Sequence, residues 1–125
     1  MSLRSPLGRA RGLGSAKDGT HHFWVQRVSA VALIPLALWF VFSVANLPGA
    51  SYEQVHWWVG YPAVAVTLVL LIASALYHSM LGVQVVIEDY VGHEGMKITA
   101  LLLSKFFHFA VAAASIFAVL KIALT

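Results

Sequence analysis

Residues 58–86 read WVGYPAVAVTLVLLIASALYHSMLGVQVV, a stretch with no Asp, Glu, Lys or Arg, in which His78 is the one residue able to gain a positive charge. A helix crosses the hydrocarbon core with roughly 20 mostly apolar residues, so a run of this length and apolarity reads as a transmembrane helix. Two similar runs flank it, from about Val25 to Val44, with Pro35 and Trp39 inside, and from about Ile98 to Leu124. Strands of a membrane barrel are about half as long and alternate polar with apolar residues, which none of the three does. The connections are short. Ala45–Trp57 carries Asn46, Pro48 and Gly49 as breakers, and Glu88–Lys97 carries Gly92 and Gly95. Short connections make consecutive helices antiparallel, so the expected fold is all-α, an up-down-up unit of three transmembrane helices. Residues 21–125 form one membrane domain behind an amino-terminal tail, residues 1–20.

Composition narrows the class further. The chain has 125 residues, 60% hydrophobic and 10% charged, against about 25% charged in soluble domains. With a mean hydropathy of +0.82, it lacks the polar surface to fold in water. The absence of Cys excludes disulfides, thiolate metal sites and iron–sulfur ligation on this chain. The sequence pI of about 9.5 does not imply nucleic acid. The basic residues concentrate in the tail, MSLRSPLGRARGLGSAKDGT, beside an apolar span, a pattern that sets membrane orientation. The apolar run begins too late and is too long for a signal peptide, and no cleavage site is evident. An Arg-rich, acid-poor tail is compatible with a mitochondrial transit peptide, but without a clear transit signature it favours a bacterial inner membrane. Arg4, Arg9, Arg11, Lys17 and Arg27 precede or open the first span, whereas Ala45–Trp57 has no Lys or Arg. The amino terminus is therefore expected on the cytoplasmic side and the first loop outside, with Trp57, Trp58 and Tyr61 as an outer aromatic belt.

Polar groups inside a bilayer are costly, so each needs a reason. With this topology they gather on the inner side: Arg27 at the start of the first span, His78 in the inner half of the second, then Gln84, Glu88, Asp89 and Tyr90 at its exit. Lys105 and His108 share a face of the third. Ser74, Ala75 and Gly82 lie about one turn from His78 and are small enough for a flat group to approach the backbone. That would suit a haem with an axial imidazole. The same pattern also suits ordinary helix packing around a hydrogen-bonded histidine, and the residues alone leave both readings open. A six-coordinate haem would need a second histidine from another chain, or His108. Asp89 and Tyr90 fit either a helix end at the interface or a carboxylate and phenol set to bond a quinone carbonyl. Arg27 fits a topology determinant or a partner for a propionate or a lipid headgroup.

The segment His78-Ser79-Met80-Leu81-Gly82-Val83-Gln84-Val85-Val86-Ile87-Glu88-Asp89-Tyr90-Val91 resembles the H-x-x-x-G-x-Q-x-x-x-x-D-Y-V stretch of the small hydrophobic, D-type membrane anchor subunits of succinate dehydrogenase (complex II). His21-His22-Phe23-Trp24-Val25-Gln26-Arg27 is similar to that family's approach to its first helix; the third helix matches in hydrophobicity alone. The resemblance implies a three-helix half of a heterodimeric anchor bundle. It implies that His78 is a haem b axial ligand to iron, the other ligand coming from a larger cytochrome b anchor subunit. Tyr90 then corresponds to the tyrosine on the ubiquinone carbonyl and Asp89 to its neighbouring acid. Arg27 corresponds to a basic residue near the propionates and quinone, and His21 more loosely to a histidine there. Succinate oxidation would occur on a flavoprotein subunit, with electrons passing through an iron–sulfur subunit to quinone, so this chain would carry no succinate-oxidising site. The competing expectations are a cofactor-free membrane scaffold or assembly protein and, less favoured for want of ionisable residues in the outer halves, a small transporter.

Overall fold

The computed structural model describes residues 3, 5–7 and 18–125. Arg4, Arg9, Arg11 and Lys17, on which the expected orientation largely rests, lie outside the described residues. Four helices are delimited among the described residues: α1 (Asp18–Ala45), α2 (Tyr52–Gly60), α3 (Pro62–Tyr90) and α4 (Glu94–Leu124). No strand occurs among the described residues, so the all-α expectation agrees with the structure.

Three segments are long and apolar enough to span a membrane: Gly19–Ala45, Pro62–Tyr90 and Glu94–Leu124, of 27, 29 and 31 residues. At about 1.5 Å per residue they measure roughly 40–46 Å, longer than a hydrocarbon core of about 30 Å. Their ends therefore reach the headgroup layers. Pro35 lies within α1 without ending it. It gives up one backbone N–H, a loss that spanning helices tolerate where neighbours re-satisfy the freed carbonyl.

Between α1 and α3 the chain is more ordered than a loop. The Asn46 side-chain amide donates to the Phe42 carbonyl at 2.7 Å, covering one of the free carbonyls at the end of α1. Gly49, at φ 85°, makes the turn that follows. Ser51 then opens α2 with a capping box: its Oγ accepts from Gln54 N at 3.2 Å, while Gln54 Oε1 accepts from Ser51 N at 2.8 Å. The run expected to start at Trp58 is interrupted at Tyr61, which is extended (φ −64°, ψ 127°). A residue before proline is pushed out of the helical region, so Tyr61 ends α2 and Pro62 starts α3. The result is a short helix set at an angle to the spans.

α3 is the hub. It packs along α1 on one side and α4 on the other, and α1 and α4 do not pack on each other; α2 rests on α3 and α4. Trp58 of α2 also stacks on Trp39 of α1, with centroids 6.0 Å apart and planes at 20°. The apolar core is small, Ala65, Leu68 and Val119 with neighbours such as Val69 and Ile72 around them. Only 6%, 17% and 11% of the most apolar windows of the three spans are buried, so lipid or other chains must cover the remainder.

Candidate functional site

The helix limits place His78 just past mid-height. The midpoint of α3 is Leu76, so His78 lies about 3 Å beyond it, in the half that ends at Tyr90. Ser29 of α1 and His108 of α4 are also near the middle of their helices. Together they form a polar layer at the depth where water is scarcest and unpaired groups are most costly.

One side of this layer joins α1 to α3. Ser29 is 7% exposed, and its hydroxyl donates to the Gln26 carbonyl at 2.9 Å. The same Oγ lies 3.0 Å from His78 Nδ1. A serine hydroxyl has a single hydrogen. That hydrogen can go to Gln26, with His78 Nδ1–H donating to Oγ, or to an unprotonated Nδ1; the ring tautomer decides between the two. His78 Nε2 has no hydrogen-bond partner among the described residues and is not sealed inside the chain. Beside the Ser29 bond an open groove of about 460 Å³ runs between α1 and α3, lined by Val25, Val28, Ala32, Ala73, Ser74 and Tyr77. A Cβ placed on Gly82, one turn from His78, would meet no atom within 4 Å.

The other side joins α3 to α4 and differs in chemistry. His108 is 9% exposed; its Nδ1 donates to the Ser104 carbonyl at 2.8 Å, and its Nε2 accepts from Ser79 Oγ at 3.0 Å. Both ring nitrogens are in use, so His108 is not a free ligand. Adjacent residues of α3 thus reach in opposite directions, His78 to α1 and Ser79 to α4. Lys105, three residues before His108 on the same helix, is exposed and lines a shallow groove with Phe106, Phe109 and Ala110.

The remaining candidates do not converge within this chain. Tyr90 is the last residue of α3 and 84% exposed; Asp89 is exposed beside it. Helical geometry puts Tyr90 about 18 Å along the axis from His78 and about 120° around it, whereas Asp89 projects within about 20° of the His78 direction. Arg27 is exposed, with its guanidinium carbon 5.1 Å from the Phe23 ring centroid, and it makes no ion pair with a described residue. It leaves α1 about 160° away from buried Ser29, on the side opposite α3. His21 is exposed; the buried, unpartnered nitrogen at this end belongs to its neighbour, at His22 Nε2. Gln84 donates to Glu88 at 3.0 Å, which ties up that pair. Among the described residues no group of three or more His, Asp or Glu could hold a metal ion without outside help. Ser29 was not singled out from the sequence, although a serine in an apolar run, three residues after a carbonyl it can reach, is a readable signal.

Three antiparallel spans, two of them packed on the central one, with one imidazole nitrogen at mid-height lacking a partner among the described residues, define a small helical membrane protein. The family described as succinate dehydrogenase/fumarate reductase transmembrane subunit matches residues 1–120, and the chain belongs to it. Similar proteins include the succinate dehydrogenase hydrophobic membrane anchor subunits of Paracoccus denitrificans, 37% identical over 99% of this chain and 95% of the relative, and of Rickettsia bellii (strain RML369-C), 33% identical over 94% of each. The succinate dehydrogenase membrane anchor subunit of Reclinomonas americana is 31% identical over 70% of this chain and 75% of its own length. No solved structure gives a significant match.

Proposed function

We propose that this chain is the hydrophobic membrane anchor subunit of a succinate dehydrogenase. In this reading His78 Nε2 is one axial ligand of a haem b shared with a second, larger anchor chain. The observation that carries it is His78 Nε2 at mid-height, without a partner among the described residues, in a layer where every other histidine nitrogen is bonded. The surroundings fit a flat macrocycle: Gly82 leaves clear space beside the ring, and His108 offers no second ligand, so the other one comes from the partner. Haem b, when bound, supplies a one-electron relay within the membrane.

Tyr90 and Asp89 serve the substrate quinone near the end of α3. The Tyr90 phenol donates a hydrogen bond to a ubiquinone carbonyl, which favours the charge that builds on that oxygen during reduction. Asp89 holds a proton-accepting carboxylate beside it. Quinone takes up two electrons and two protons to become quinol, matching the two of each released when succinate is oxidised on a flavoprotein partner. Electrons reach the membrane through an iron–sulfur partner. Arg27 faces away from α3 and meets a propionate or the quinone pocket only through the assembled neighbours; His21 has the same status. We place the subunit in a bacterial inner membrane with the amino terminus cytoplasmic, supported by the bacterial relatives and by the lack of Lys or Arg between Ala45 and Trp57.

The test is purification of the intact complex from its native membranes through a tag on this chain. The reading expects a flavoprotein, an iron–sulfur protein and a second anchor chain to co-purify with haem b absorbance. Tyr90→Phe should slow quinone reduction at least tenfold while leaving succinate oxidation with a soluble dye unchanged. Normal quinone rates and affinity in that variant would remove Tyr90 from the site. The dispersed positions of Arg27, Asp89 and Tyr90 favour one competing reading, a scaffold without cofactor. A scaffold requires His78→Ala to change stability alone.

A further inference from the structure

We infer that Ser29 is the positioning residue for the His78 imidazole: it holds the proton on Nδ1, turns Nε2 outward for iron, and tunes the electron-donating strength of the ring. The inference rests on the reading of His78 as an axial ligand. It concerns a different residue, on a different helix.

With Nε2 given to iron, the ring carries its proton on Nδ1. Ser29 Oγ, 3.0 Å away, then accepts that proton's bond and directs its own hydrogen to the Gln26 carbonyl at 2.9 Å. In the opposite tautomer Ser29 would donate to Nδ1 and leave an N–H at Nε2 pointing away without an acceptor. At mid-height in a membrane no water is at hand to correct that fault. The bonds also act in series. Nδ1–H donates to Oγ, whose own hydrogen donates to a carbonyl, so each bond polarises the next. Electron density drawn onto the ring makes Nε2 a better donor to iron and favours the oxidised metal.

Burial separates this pair from an incidental contact. Ser29 is 7% exposed between α1 and α3, with both its hydrogen and a lone pair in use. His108 provides an internal contrast: it too has a serine neighbour, Ser79, but there the serine donates to Nε2 and closes the ring to any ligand. The same two residue types thus give one imidazole with a single nitrogen engaged and one with both engaged.

The experiment uses the intact complex carrying Ser29→Ala, Ser29→Thr or His78→Ala, with haem b content per flavin, midpoint potential and the low-spin electron paramagnetic resonance signal as readouts. Ser29→Ala is expected to keep most of the haem, shift the midpoint potential upward and move or broaden the low-spin signal, because the ring loses its acceptor and its fixed rotation. Ser29→Thr, which retains the hydroxyl, is expected to restore both values. An unchanged potential and signal in Ser29→Ala would overturn the inference. If His78→Ala leaves the haem spectrum as in the parent, the ligand assignment itself fails and takes this inference with it. If His78→Ala abolishes the low-spin signal and Ser29→Ala changes nothing, only the role of Ser29 is lost. Should Ser29→Ala fail to assemble, Ser29→Cys substitutes a weaker acceptor of similar size, and the same upward shift or its absence decides the matter.

Discussion

His108 is assigned a structural role, tying α3 to α4, and this can be measured as a coupling between two side chains. In Ser79→Ala the His108 Nε2, now 3.0 Å from nothing it can accept from, stays buried in a residue only 9% exposed. Hydrogen bonds between membrane helices are worth about 0.6 kcal/mol on average and up to about 1.7. Leaving a buried acceptor unpaired costs about 1–3 kcal/mol. The expected loss for Ser79→Ala is therefore about 1–2 kcal/mol. His108→Phe keeps a ring in the space but removes both nitrogens, including the 2.8 Å bond to the Ser104 carbonyl. Adding Ser79→Ala to His108→Phe should then cost little, because neither partner of the lost bond remains. The cycle closes with a coupling of about 1 kcal/mol. It is read from denaturant unfolding of the purified complex in detergent, with the haem b spectrum recorded on each variant. Refutation comes in two forms. A coupling near zero would mean that the Ser79–His108 bond contributes nothing, and loss of the low-spin haem signal in His108→Phe would mean that this ring, not a partner chain, ligates iron.

Two further predictions test the turn and the open surface. Gly49 sits at φ 85°, where a side chain costs roughly 1–2 kcal/mol; Gly49→Ala should lower the thermal midpoint of the complex, and Gly49→Asn should lower it less. A Cβ at Gly82 meets no atom within 4 Å, so helix packing within this chain should survive Gly82→Leu. Haem content per flavin should nonetheless fall at least twofold, and a normal ratio would show that nothing lies against that face.

The three spans were legible because length and apolarity are summed over many residues, and no local detail can cancel the sum. The break at Tyr61 was not seen by the same measure, since Tyr61 and Pro62 differ from their neighbours in backbone preference and not in hydropathy. A span from Trp58 to Val86 centres on Ile72 and the helix Pro62–Tyr90 on Leu76, so His78 lies nearer mid-height than that span implies, in the same half. The Ser51-x-x-Gln54 cap that announces α2 was present to be read. The fates of the two central histidines were not. Which nitrogen is open depends on how α1 and α4 rotate against α3, and hence on Ser29 and Ser79, partners 49 and 29 residues away in sequence. His78 was identified by motif and its neighbours were not, because the sequence pattern carries spacing along one helix only.

The arrangement around α3 has a consequence for how the chain is made. Each span packs only on the span synthesised just before or just after it, α3 on α1 and α4 on α3. No contact between spans has to skip a span, so they can dock in order of synthesis as they leave the insertion machinery. The Ser29–His78 contact can form as soon as the second span arrives, whereas Gly60 of α2 waits for Ile122 of α4. The face between α1 and α3 that carries Ser29 and His78 is thus closed before the last helix is inserted.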